Sequence, residues 1–267
     1  MHQTTYHRAS SISEAVKMLK EAEDGKFVAG GQTLIPTMKQ RLAAPSDLID
    51  LRHIGELKGI EVAGNTVKIG AGTTHAEVAR DAALAKACPA LCHLAAHIGD
   101  PHVRHMGTLG GSIANNDPAA DYPAAVLALA ATVHTNKREI AADDFFVDLF
   151  ETALEDDEIV TAISFAVPEK AGYAKFPNPA SRYALTGVFV AKHADGVRAA
   201  VTGAGENGVF RAEAIEKALV GAFEASALDG TTVPADGLMS DIHASAEYRA
   251  NLIVVMAKRA VQAANGG

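Results

Sequence analysis

The chain has 267 residues, 48% hydrophobic and 21% charged, with 24 Lys and Arg against 32 Asp and Glu for a formal net charge of −8. That usage is globular and excludes a disordered or collagenous chain, while the acidic balance, with aromatics at 5% and no Trp, argues against a nucleic-acid partner, which calls for clustered Lys and Arg. Two cysteines, Cys88 and Cys92, are too few for a four-thiolate iron–sulfur or zinc site. No apolar run reaches the ~18 residues of a membrane helix. The polar start MHQTTYHRASS has no signal core, so a cytoplasmic protein is expected, in solution or peripherally at the inner face of the membrane.

Ser11-Ile12-Ser13-Glu14 matches a capping box, and Ile12, Val16 and Leu19 then share one face, which predicts a helix closed by Asp24-Gly25. Residues 26–29 read as a strand broken by Gly30-Gly31. Thr33-Leu34-Ile35-Pro36 opens a second helix, since Pro is tolerated in a first turn. With a strand over 48–51, residues 1–55 form a β-α-β unit. Strands 59–63 and 66–71 flank Gly64-Asn65, a two-residue hairpin signal. Helices are predicted over 75–84 and 91–98. The stretch 99–123, GDPHVRHMGTLGGSIANNDPAADYP, reads as a long irregular loop, and such loops are usually functional. A helix over 124–129 and strands over 131–135 and 159–167 follow. Pro177 and Pro179 mark a boundary loop. Beyond it come a hairpin (183–192 and 197–202) and helices over 211–220 and 245–263. The predicted organisation is α+β, with one domain over 1–176, itself in parts 1–55 and 56–176, and a smaller one over 177–267.

Two glycine clusters carry the chemistry: Ala29-Gly30-Gly31-Gln32-Thr33 and Thr108-Leu109-Gly110-Gly111-Ser112. Glycine lets backbone approach a ligand closely, and successive free N–H groups make an anion nest. Two ordinary turns are the bland alternative. Neither cluster is a P-loop, because no GK[ST] follows. Gly203-Ala204-Gly205-Glu206-Asn207-Gly208 matches GxGxxG but follows hairpin strands rather than opening a helix, so a plain turn is expected. His93 and His97 share a helix face beside Cys92, yet Leu94 stands where a zincin has Glu, and a half-exposed helix face is the better reading. Asp117 and Asp121 flank Pro118; by residue type they read as turn and N-cap groups, with a carboxylate pair as the alternative.

The segments AGGQTLIPTMKQRL, GAGTTHAEV, IGDPHVRHMGTLGGSIANNDPAADYPA and KFPNPASRYALTGVFVA resemble the FAD-binding medium subunits of molybdenum hydroxylases, of the carbon monoxide dehydrogenase and xanthine dehydrogenase type. The resemblance spans nearly the whole chain. It implies a two-part PCMH-type FAD-binding domain followed by a smaller C-terminal domain with an antiparallel sheet and helices. It implies FAD on this chain, with the molybdenum cofactor on a large partner subunit and 2Fe–2S clusters on a small one, assembled as a dimer of heterotrimers. Carried over residue by residue, the FAD site comprises Ala29, Gly30, Gly31, Gln32, Thr33, Leu34 and Ile35, then Thr108, Gly110, Gly111 and Ser112. Asp121 matches an acidic position at the cofactor, Ile98 and Ile163 apolar positions near it, and Tyr183 a position near the flavin ring. The segment His102–Met106 departs from the family's pattern, which has Gln-Val-Arg-Asn and then Arg. The implied role is electron transfer from partner clusters to an external acceptor, with no catalytic side chain on this chain. A xanthine, aldehyde or N-heterocycle dehydrogenase subunit, a free-standing flavin oxidoreductase and a cofactor-free scaffold are the alternatives to a carbon monoxide dehydrogenase type.

Overall fold

The computed structural model describes residues 1–266. In the first unit, β1 (Thr5–Arg8), α1 (Ile12–Glu21), β2 (Gly25–Val28), α2 (Leu34–Lys39) and β3 (Asp47–Asp50) build a parallel sheet of order β1-β3-β2. Helix α1 starts where the capping signal lies, with the Ser11 hydroxyl accepting from Glu14 N. The Glu14 carboxylate turns to Ser10 instead, taking its N–H at 2.7 Å. Apolar residues of α1 cover one side of the sheet around Ala15 and Ile49, and Met38 of α2 packs with Val28 and Leu48.

The second unit holds an antiparallel sheet of order β4-β5-β10-β6-β7. Its elements are β4 (Ile60–Ala63) and β5 (Thr66–Gly70), then the helices α3 (His75–Arg80), α4 (Ala82–Ala87), α5 (Pro89–Ala96), α6 (Pro101–Met106), α7 (Leu109–Asn115) and α8 (Tyr122–Ala128). There follow β6 (Thr132–Thr135), β7 (Glu139–Ala141), α9 (Ala142–Phe145), the small hairpin β8 (Phe146–Asp148) and β9 (Glu151–Thr152), and β10 (Val160–Ala166). The helix predicted over 75–84 is split at Asp81, which is extended and whose carboxylate caps Leu84 N. The stretch 99–123 is largely helical, not irregular. Asp100 caps α6 with Pro101 in the first turn, and Thr108 caps α7. Its four Gly and three Pro residues serve helix starts and close packing here.

The third unit is a meander of β11 (Lys170–Pro177), β12 (Ala184–His193), β13 (Gly196–Gly205) and β14 (Gly208–Arg211), covered by α10 (Glu213–Gly221) and α11 (Ala246–Ala264). Strand β11 enters this sheet ahead of Pro177 and pairs with β12 along its length. Pro177 and Pro179 therefore lie at the β11–β12 connection rather than between the sheets. Gly203–Gly208 is the tip of the β13–β14 hairpin, where Gly205 faces Gly208, and opens no helix. Helix α8, buried along its whole length, packs on β12 and β13 and so joins the second unit to the third.

Candidate functional site

A cavity of about 810 Å³ runs along the meeting line of the three units, within the size range of small-molecule and cofactor sites. Its walls come from the β2–α2 turn, the residues after β3 and β5, the α5–α8 connections, and the β11–β12 turn.

The two glycine clusters face each other in it. Gly30 lies against the Met106 carbonyl, so a Cβ there would overlap that oxygen and come within 2.7 Å of Gly107 Cα. Gly31 has φ +68°, a left-handed conformation that allows the turn out of β2. Among the described residues, none accepts a hydrogen bond from the backbone N–H groups of Gly31, Gln32, Thr33 or Leu34. Four successive backbone donors are thus left free beside the cavity, the kind of run that can hold an anion. The second cluster differs. Leu109 N donates to Thr73 O, Gly110 N to Ala71 O at 2.8 Å, and Gly111 N to Thr108 Oγ1 at 3.1 Å. Its contribution is surface rather than donors. At Gly111 an added Cβ would meet only Thr108 Oγ1, at 2.9 Å, and Ala29 Cβ, at 3.7 Å. A cradle with free amides on one side and bare glycine on the other fits the diphosphate of a dinucleotide such as FAD.

Acidic groups gather at the end formed by the α7–α8 connection. Pro118 and Ala120 are gripped by the third unit: the Thr202 hydroxyl donates to Ala120 O at 2.6 Å and lies 3.0 Å from Pro118 O, and Gly203 N donates to Pro118 O. This fixes Asp117 and Asp121. Asp121 accepts from Lys175 Nζ at 2.8 Å and from the Tyr173 hydroxyl. Burial raises both carboxyls above the usual range, at Asp121 against the pull of the Lys175 ammonium. Tyr183, half-exposed in the β11–β12 turn, lines the same end, and burial together with the Asp117 and Asp121 charges pushes its hydroxyl up.

His75, in the first turn of α3, borders the cavity but is only 5% exposed. Its Nδ1 and the hydroxyl of neighbouring Tyr122 have no partner among the described residues. Burial first, then the Arg104 charge, pull its pKa down to about 4. The folded state therefore refuses a proton that the unfolded chain takes up near pH 6.5. Its stabilising effect is complete above pH 6.5 and is lost as pH falls toward 4, on the order of 3 kcal/mol in all. Urea unfolding at pH 7 and pH 4.5 checks this: the wild type should lose more stability than His75→Leu over that interval.

Of the residues predicted for the site, all but Ile35 and Ile163 line the cavity. Ile35 borders a smaller adjoining recess and packs with Val28 and Met38, supporting Gly31 from beneath. Ile163 is a correction. It lies at the centre of β10, paired with Ile69 and Val133, and belongs to the core of the second unit. Its chain neighbours Ile159 and Val160 reach the cavity in its place. Sequence reasoning missed His75, Arg52 and Phe150, which also line it. The GAGTTH segment was a signal for His75; Arg52 and Phe150 lie in segments with no motif. The His93–His97 pair stacks at 4.2 Å, and among the described residues no cluster of three metal-ligating side chains occurs. Among the described residues no helix is long and apolar enough to cross a membrane.

A nest of free amides opposite a glycine surface, between a small parallel unit and a larger antiparallel one, defines a dinucleotide-binding domain. Residues 2–169 match the family described as the FAD binding domain in molybdopterin dehydrogenase, and the chain belongs to that family. It is 40% identical to the carbon monoxide dehydrogenase medium chain of Afipia carboxidovorans, over 97% of this chain and 96% of that one. It is 36% identical to the nicotine 6-hydroxylase medium subunit of Paenarthrobacter nicotinovorans, over 96% and 95%. Its structure resembles a chain of reconstituted CO dehydrogenase from Oligotropha carboxidovorans, with TM-score 0.89, 36% identity, and coverage of 99% and 98%.

Proposed function

We propose that this chain is the FAD-carrying, electron-transferring subunit of a molybdenum-dependent dehydrogenase. It works beside a large molybdenum-cofactor subunit and a small iron–sulfur subunit, between the partner's clusters and an external acceptor. The 40% identity to a carbon monoxide dehydrogenase medium chain supports a complex of that type. The observation that carries the reading is the run of four amides at 31–34, without acceptors among the described residues, on the same cavity wall as Gly110-Gly111.

Bound FAD supplies a centre that takes up electrons singly or in pairs. The chain's own residues bind and orient it. Amides of Gly31 to Leu34 would hold the diphosphate, Gly110 and Gly111 would let it approach, and the Ser112 hydroxyl, free of protein partners among the described residues, would offer a further contact. Tyr183, which lines the other end together with Asp117 and Asp121, would stand beside the flavin ring. We place the division between the FAD-binding part and the C-terminal part at residues 169 and 170, where the family match ends and β11 begins.

A titration of the purified full chain with FAD and with FMN tests the reading. One FAD per chain, bound well ahead of FMN, is expected, because FMN lacks the second phosphate and the adenosine. Equal affinity for the two overturns the dinucleotide site. Absence of FAD both from the chain alone and from the chain co-expressed with its partner subunits overturns the function.

A further inference from the structure

Arg52 occupies a position that the family match and the glycine motifs leave without a role. Strands β2 and β3 run parallel with Val28 beside Asp50, and Leu51 N donates to Val28 O at 3.0 Å. The glycine turn and Arg52 therefore leave the sheet together at its carboxyl edge, the edge at which parallel sheets place their ligands. The Asp50 side chain is fully buried beneath and accepts from Arg52 Nε, at 3.0 and 3.1 Å to its two oxygens, and from Nη2, at 2.7 Å. It also accepts from the Tyr6 hydroxyl at 2.6 Å. This fork fixes the guanidinium plane. Nη1 has no protein partner among the described residues, and the side chain remains 43% exposed. Arg52 lines both the large cavity and the adjoining recess of about 360 Å³, whose wall it shares with Gly31 and Gln32.

We propose that Arg52, held by Asp50 and Tyr6, is a ligand for the FAD diphosphate, completing with its free Nη1 edge the anion site begun by the amides of 31–34. The inference rests on the FAD reading above. Lys26 and Lys58 also line the cavity, but as flexible stems without ion pairs among the described residues. Arg182, also on the wall, belongs to the β11–β12 turn beside Tyr183, away from the amides of 31–34; of the others Arg52 alone is oriented in advance, so it loses little freedom on binding. An arginine serving only to neutralise Asp50 would affect every flavin alike, whereas a diphosphate ligand affects only flavins that carry the diphosphate.

The test is flavin binding to the full chain with two probes, FAD and riboflavin, at low and high salt. It compares the wild type with Arg52→Gln and with the double variant Asp50→Asn/Arg52→Gln. The double variant leaves no unpaired buried carboxylate, so it decides the matter where the single variant fails to fold. Loss of one charge-assisted hydrogen bond is expected to weaken FAD about tenfold or more. Riboflavin binding should stay within about twofold, and the salt dependence of FAD binding should flatten. Equal weakening of both flavins, or unchanged FAD affinity, overturns the proposal and leaves the FAD reading standing. A wild type that binds riboflavin as tightly as FAD overturns that reading, and this inference with it.

Discussion

Replacing Gly111 by aspartate is expected to weaken FAD binding about a hundredfold or more while the chain stays folded. The position lies in the first turn of α7 on the cavity wall, and a Cβ there meets only the hydroxyl of its own cap and, at 3.7 Å, Ala29 Cβ. The added side chain must extend into the cavity. A carboxylate against a diphosphate is a like-charge contact, worth several kcal/mol, and each 1.4 kcal/mol is about tenfold in affinity. Gly111→Ala is the control and should retain most of the affinity. Gly30→Ala should behave differently, because its Cβ would overlap the Met106 carbonyl. Overpacking of that kind costs about 1–3 kcal/mol of stability and should lower the unfolding midpoint as well as flavin binding. Isothermal titration with FAD, paired with urea unfolding, separates the two. An aspartate variant with wild-type affinity would remove Gly111 from the site.

The glycine clusters were legible in the sequence because their cause is local: a missing Cβ and a left-handed φ at Gly31 leave a mark at the residue itself. The capping signal at Ser11 is legible for the same reason, and the Thr74–Glu77 box, which closes reciprocally, carries the same local signature. What escaped was what long-range pairing decides. Tyr6 meets Asp50 across 44 positions and Tyr173 meets Asp121 across 52, and no spacing rule connects them. The resemblance matches Ile163 to an apolar position near the cofactor, whereas its side chain lies in the core between Ile69 and Val133. The Gly and Pro content of 99–123 predicts a loop. Asp100 and Thr108 instead cap two short helices there, and their glycines serve close packing on Ala71 and His75. His102–Met106, the segment that departs from the family pattern, presents the Met106 carbonyl to Gly30. That is a backbone contact, which most side chains at 106 can provide.

Removing the lysine at 175 should be the most destabilising single change at the site. Lys175 Nζ lies 2.8 Å from Asp121 Oδ1, both side chains are almost wholly buried, and the ammonium also donates to His97 O at 2.8 Å. The pair ties β11 of the third unit to the α7–α8 connection that lines the cavity. Lys175→Met leaves Asp121 buried without its counter-charge, and breaking a buried pair from one side costs about 3–5 kcal/mol. The pH dependence fixes the cause. Burial already raises the Asp121 carboxyl, and without the ammonium it rises further, so the folded variant keeps a proton that the unfolded chain releases above about pH 4. Stability of the variant is then lost as pH rises from about 4 toward the folded value. The deficit relative to wild type should be small at pH 4 and full at pH 7. The double variant Asp121→Asn/Lys175→Met carries no buried charge and should recover most of the stability at pH 7, since exchanging both partners for neutral groups is often close to neutral. Urea unfolding of the three proteins at the two pH values decides the matter: a deficit independent of pH, or one the double variant fails to relieve, would show that Lys175 acts by packing alone.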